Sequence, residues 1–178
     1  LGGLRYDYRS PKHPYGDKFM LAGGHNAPVT YALWMVLGEA LYRKHKETGD
    51  SRFFADPEQI LLSIDCLGFR RGSEGMKTIL SENGLEDHPA MEQAKVRGIR
   101  ALSGHSESTD VTNDVNGGPS GIGVATAAGK ATFWDMVAAD PDLAPKIMAV
   151  EGEFAMTSGH SQEMKTQAVA QQVGKRLR

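Results

Sequence analysis

The sequence predicts an α/β domain: a parallel sheet with helices on both faces that gathers its ligand contacts at the carboxyl ends of the strands. Two short apolar runs, Lys18 to Ala22 and Lys146 to Val150, read as strands, and each closes on a turn, Gly23-Gly24 and Glu151-Gly152-Glu153. Longer stretches of helical periodicity alternate with them, which argues for parallel pairing through crossovers. The third observation is the run Val111 to Gly129, where a polar segment leads through Gly117, Gly118, Pro119, Gly121 and Gly123 into an Ala-rich helix. Glycines bunched at a helix start leave backbone N–H groups uncovered and let a ligand approach the main chain. A flat or anionic group is expected to dock there.

Taken in order, residues 1–17 are rich in Gly, Tyr and Pro, begin without methionine, and read as a connecting arm or as the start of an incomplete chain. After the first strand, Asn26 caps a helix with Pro28 in its first turn. Leu33, Val36, Leu37, Ala40 and Leu41 form its apolar face, and it ends near Gly49 behind Arg43, Lys44 and Lys46. Asp56-Pro57-Glu58-Gln59 has the cap, proline and polar third position of a second helix start, with Leu61, Leu62 and Leu67 to bury and Gly68 to stop it. Residues 74–80 and 90–99 read as helical, separated by Gly84 and Pro89. Past the glycine run, Gly121, Ala125 and Gly129 recur every four residues as a close-packing stripe. Phe133, Trp134 and Val137 extend the apolar face until Asp140-Pro141 breaks the helix. Ser158 or Ser161 caps a last helix that runs to Val173. Only two or three strands can be found, too few for a complete open sheet.

At 178 residues the chain fits one domain, with no internal repeat or linker. Twenty basic against twenty-two acidic side chains leave a net charge of −2, without a basic block to neutralise a phosphate backbone, so nucleic acid is a poor default partner. Cys66 stands alone, which excludes an intrachain disulfide; its Ile-Asp-Cys-Leu-Gly setting reads as a buried helix position in a reducing, cytoplasmic protein. No apolar run approaches membrane length, and no signal-peptide pattern opens the chain. The glycines fit neither G-x-G-x-x-G after a strand nor G-x-x-x-x-G-K-[ST]. His105-Ser106-Glu107 has the H-x-E of zinc deaminases, but one cysteine cannot supply P-C-x-x-C.

Three blocks, Gly23-Gly24-His25, Gly104-His105-Ser106-Glu107 followed by Gly118-Pro119-Ser120-Gly121-Ile122-Gly123, and Val150-Glu151-Gly152, keep the order and rough spacing of motifs in one family. They resemble the diphosphate-binding domain of the transketolases, where the corresponding runs read S-N-G-H, G-H-P-E…T-T-G-P-L-G-Q-G and G-D-G. The resemblance spans most of the chain and implies a thiamine-diphosphate-binding fold, incomplete at both ends. The family's opening S-G-H-P helix has no counterpart here, and Arg178 falls just before its next strand. Phe69-Arg70-Arg71-Gly72-Ser73 resembles F-R-Q-x-G-S, which in the family runs almost directly into G-H-P-E. Here a helical insertion of about 74–103 intervenes.

The resemblance implies transfer of a two-carbon ketol unit between sugar phosphates, with thiamine diphosphate and Mg²⁺ or Ca²⁺ as cofactors. Glu151 takes the place of the metal-binding Asp; it reaches about 1.5 Å further, one methylene, while Val150 replaces a glycine that gives backbone clearance. Gly152 and Glu153 border the diphosphate. His25 matches a residue near the diphosphate or the substrate hydroxyls, and His105 matches one that contacts the donor sugar, roles that suit a side chain titrating near neutral pH. Gly118, with Pro119, matches the glycine beneath the aminopyrimidine ring, and Ser120 stands where the family carries Leu. The family also implies a pyrimidine-binding domain outside these residues, usually from a second subunit of a homodimer. Two alternatives stay open: an enzyme like the homodimeric pyruvate dehydrogenase first component, whose Q-G-H-I-S-P resembles Gly24-His25-Asn26-Ala27-Pro28, and a non-catalytic structural or regulatory subunit.

Overall fold

The computed structural model describes residues 3–71, 73–88, 91, 97–115, 117–140 and 142–170. In chain order the elements are β1 (Lys18–Leu21), α1 (Ala27–Thr48), α2 (Ser73–Glu82), α3 (Ile122–Val137), β2 (Ile147–Val150) and α4 (Gly159–Ala170), with 3₁₀ turns at Gly24–Asn26, Ser51–Phe53, Ser63–Gly68 and Ala155–Thr157. The chain divides into two compact units: Leu1–Asp7, Pro11–Ala27 and His105–Arg178, and Tyr8–Ser10 and Pro28–Gly104.

The first unit is mixed α/β. β1 and β2 pair in parallel, Lys18 opposite Ile147 through Leu21 opposite Val150, so both strands end at the same edge. Asp17, buried just ahead of β1, accepts the N–H of Arg5 at 2.6 Å and that of Lys146 at 2.8 Å, and the Arg5 guanidinium donates to the Ala144 carbonyl at 2.7 Å. These bonds stitch the N-terminal arm to the start of β2. Met20, Ile147, Ala127, Ala131 and Ala168 form one buried cluster with Trp134 packed against it. The residues that bring α3 close to the sheet are Gly123, Ala127 and Ala131, a Cβ at Gly123 being excluded by Ala22. The expected stripe is two residues out of phase. Gly121 sits in the left-handed region, φ 87°, as the N-cap, Ala125 is half-buried and Gly129 meets open space. Phe133 and Val137 are exposed, so the apolar face is narrower than the composition implies. Ser158 proves to be the cap of α4: its hydroxyl accepts the N–H of Ser161 at 3.3 Å, while Ser161 is buried and donates to Ala155. The helix is described to Ala170; its expected extension to Val173 lies outside the described residues.

In the second unit α1 ends where expected, with Gly49 at φ 65° donating to the His45 carbonyl at 2.8 Å. Its buried face differs from expectation. Tyr31, Trp34, Met35 and Gly38 face inward, whereas Leu33 and Val36 are exposed, 44% and 67%. The two aromatic rings offer more area to bury than the aliphatic stripe, and Gly38 lets the helix close on the Leu61 carbonyl.

The helix expected from Asp56 does not form. Asp56 does start a turn, accepting the N–H of Glu58 at 2.9 Å, but Leu62 is extended, φ −117° and ψ 158°, and only a 3₁₀ turn follows. Cys66, on that turn, is exposed rather than buried. The reason is Asp65, which is fully buried. It takes a two-pronged salt bridge from Arg97, at 2.9 and 2.6 Å, and the backbone N–H groups of Leu62 at 2.8 Å and Arg100 at 3.0 Å. An α-helix through Leu62 would take that N–H away from the carboxylate. α2 covers the expected helix at 74–80, and the one expected at 90–99 lies largely outside the described residues. Leu102, at the end of the 74–103 segment, returns to the chain just ahead of it in a parallel bridge with Phe69, closed by Arg70 N–H to Leu102 carbonyl at 2.7 Å.

Candidate functional site

Parallel pairing puts the turns after β1 and β2 side by side. The Gly23 N–H donates to the Val150 carbonyl at 3.0 Å and carries the ladder one residue past the strands. From there the two turns touch through glycine. A Cβ at Gly23 would lie 2.9 Å from the Gly152 nitrogen, and one at Gly152 would lie 3.0 Å from Cε1 of His25. The His25 ring therefore rests over Gly152, with its outer part exposed.

The glycine run reaches the same edge from the other side of β1. The Ser106 hydroxyl donates to the Leu21 carbonyl at 3.0 Å, Asn113 Oδ1 accepts the Leu21 N–H at 3.4 Å, and the Gly117 N–H donates to the Ser106 carbonyl at 2.8 Å. Ser106 and Asn113 are both fully buried. They satisfy the free edge of β1 with side chains, as a further strand would with backbone, and seat Gly117 against the turn. A Cβ at Gly24 would overlap the Gly117 carbonyl, and one at Gly117 would lie 2.6 Å from the Leu21 oxygen. Nothing in the residue types of Ser106 and Asn113 marked them as clamps. The signal was only that Asn113 falls in the polar stretch ahead of the glycines and Ser106 in the Gly104-His105-Ser106-Glu107 block before it.

Beyond this contact the run opens. Gly118, Pro119 and Ser120 are exposed, and a Cβ at Gly118 would meet nothing within 4 Å. Gly121 then packs its backbone on Ser158 and Ser161 and starts α3. His25, Gly117–Gly118 and Glu151–Gly152 are thus carried by three segments, the turn after β1 touching each of the other two. His105 is exposed one residue before Ser106, and Glu153 is exposed beyond Gly152.

Glu151 is the chemically distinctive member. Its Oε1 accepts the N–H of the next residue, Gly152, at 3.1 Å, while Oε2 is shielded from solvent and has no hydrogen-bond partner among the described residues. A buried carboxylate oxygen without a donor costs about 1–3 kcal/mol or more, and a cation is the partner that would recover it. Among the described residues no cluster of three His, Cys, Asp or Glu side chains surrounds it. A cation here would take one carboxylate from the protein and further oxygens from carbonyls, water and a bound phosphate, the pattern usual for Mg²⁺. No helix among the described residues is long and apolar enough to cross a membrane.

No protein-family model matches the chain. A 35-residue stretch, 20% of the chain, is 46% identical to transketolase-like protein 2 of Mus musculus. Transketolase of Homo sapiens is 43% identical over 35 residues, and transketolase-like protein 2 of Homo sapiens 42% over 36. Each match spans 6% of the relative's length. The chain therefore contains a transketolase-related region.

Proposed function

We propose that this chain is the diphosphate-binding part of a transketolase-like enzyme that moves a two-carbon ketol unit between sugar phosphates. The observation that supports it best is the contact of the turn after β1 with two further glycine turns at the carboxyl edge of two parallel strands, Gly24 on Gly117 and Gly23 on Gly152, beside a carboxylate oxygen with no donor among the described residues. The transketolase-related stretch supports the same reading.

Thiamine diphosphate, when bound, supplies the carbanion chemistry. The chain's own work is to bind and orient. Glu151 offers Oε2 to Mg²⁺ or Ca²⁺, and the exposed backbone at Gly118, with no side chain in the way, receives a flat ring, Pro119 and Ser120 bordering it. His25, over Gly152, donates to a diphosphate oxygen or a substrate hydroxyl, and His105 exchanges a hydrogen bond with a sugar hydroxyl. The group that activates the aminopyrimidine belongs to a pyrimidine-binding domain on a partner, in a homodimer or larger assembly.

Calorimetric titration of the chain with thiamine diphosphate and Mg²⁺, with a transketolase pyrimidine-binding domain supplied, tests this. Saturable binding that disappears on chelating the metal is expected. No binding with that domain present would overturn the reading.

A further inference from the structure

At the amino ends of β1 and β2, opposite the glycine turns, the first unit forms a second hollow. The end of α3, the loop that follows it and the N-terminal arm surround a cavity of about 590 Å³, within the roughly 300–1,000 Å³ of small-molecule sites. Trp134, Tyr15, Val137 and Leu143 make its apolar wall, with the two aromatic rings 6.4 Å apart at 56°. Two opposite charges line the same cavity. Arg5 is fixed through Nη2, which donates to the Leu143 and Ala144 carbonyls at 3.1 and 2.7 Å and lies 3.6 Å from Oδ1 of buried Asp17. Its Nε and Nη1 have no partner among the described residues, and 46% of the side chain is open to solvent. Asp140 accepts the Asp142 N–H on Oδ1 at 2.9 Å, and its Oδ2 has no partner among the described residues.

We propose that this cavity binds a free α-amino acid with an aromatic side chain: carboxylate on Arg5, ammonium on Asp140, ring against Trp134 and Tyr15. A lone anion would meet Asp140 and a lone cation Arg5, while an uncharged molecule would take water from both without replacing it. A zwitterion with an apolar body offers each group its complement, through charge-assisted hydrogen bonds at both ends and ring packing between them. The site is independent of the cofactor reading, since it lies at the other end of the strands.

Calorimetry of the full chain with L-phenylalanine tests this, beside phenylpropanoate, which lacks the ammonium, and phenethylamine, which lacks the carboxylate. L-Phenylalanine should bind saturably and each of the others about tenfold or more weakly, the usual worth of a hydrogen bond to a charged group. Asp140→Asn, which keeps an acceptor for the Asp142 N–H, should bring L-phenylalanine down to the affinity of phenylpropanoate and leave phenylpropanoate no weaker. Arg5→Met should weaken L-phenylalanine and phenylpropanoate alike and spare phenethylamine; if a thermal melt shows that it loosens the arm, Asp140→Asn carries the test. Absence of saturable L-phenylalanine binding, equal affinity for all three probes, or an Asp140→Asn chain that binds like the natural one would overturn the proposal. So would concentration-dependent self-association in sedimentation that Leu143→Asp abolishes, which would assign the cavity to a second copy of the chain.

Discussion

Replacing Gly24 by alanine is expected to lower stability by about 1–3 kcal/mol, the usual range for overpacking, and to remove thiamine diphosphate binding altogether. The added methyl group would overlap the Gly117 carbonyl, and Gly117 in turn donates its N–H to the Ser106 carbonyl, while the Ser106 hydroxyl is bonded to the Leu21 oxygen. The obstacle is backbone pinned by buried hydrogen bonds, so no rotamer change relieves it. Either the turn after β1 or the glycine run must move. A shift of about 1 Å at a positioning element is enough to cost roughly a hundredfold in function. Gly118→Ala is the control, because its methyl group enters open space. Its stability should stay within about 0.5 kcal/mol of the natural chain, while ring binding weakens. Thermal melts and titration with thiamine diphosphate and Mg²⁺, run on both variants, check the pair. A Gly24→Ala chain that melts and binds like the natural one would show that the two turns do not pack as described.

Asp65→Ala is expected to destabilise the second unit by about 3–5 kcal/mol, the cost of leaving one half of a buried ion pair uncompensated. The Arg97 side chain is 1% exposed and Asp65 0%, so water cannot replace the lost carboxylate. The N–H groups of Leu62 and Arg100 lose their acceptor in the same step. Against a typical total of about 5–15 kcal/mol, such a loss brings this unit close to unfolding at 37 °C. Asp65→Asn keeps the shape and acceptor capacity on one oxygen and should cost less. Urea denaturation of the two variants measures the difference; equal midpoints for Asp65→Ala and the natural chain would contradict the network.

The same carboxylate explains why part of the fold was legible in the sequence and part was not. The two strands were, because Lys18 to Ala22 and Lys146 to Val150 are apolar runs bounded by turn residues. So was the end of α1, where a basic turn precedes Gly49. The segment from Asp56 was misread because its start signal is real but local: Asp56 does cap a turn. What overrides it is the pairing of Asp65 with Arg97, thirty-two residues further on, and a guanidinium partner at that separation leaves no trace in a window of helical periodicity. The face of α1 was misjudged by counting aliphatic residues, when Tyr31 and Trp34 carry more buried area. The small-residue stripe of α3 was displaced by two because its phase is set by Gly123 meeting Ala22, a contact from another element.

For the site, the placement of the turns was legible, since parallel strands carry their following turns to one edge. The clamps were not. Ser106 and Asn113 matter because the second edge of β1 is met by side chains, a fact of topology and not of residue type.

Everything proposed for function depends on the turns at Gly24, Gly118 and Gly152 serving one ligand. Backbone amide resonances followed by ¹H–¹⁵N correlation spectra during titration with the thiamine diphosphate–Mg²⁺ complex report this directly, and they do so even for weak binding. The amides of all three turns should shift together along one saturation curve, and none of them should respond to thiamine diphosphate under a chelator. Shifts confined to one turn, or spread over the surface without saturation, would contradict a shared ligand.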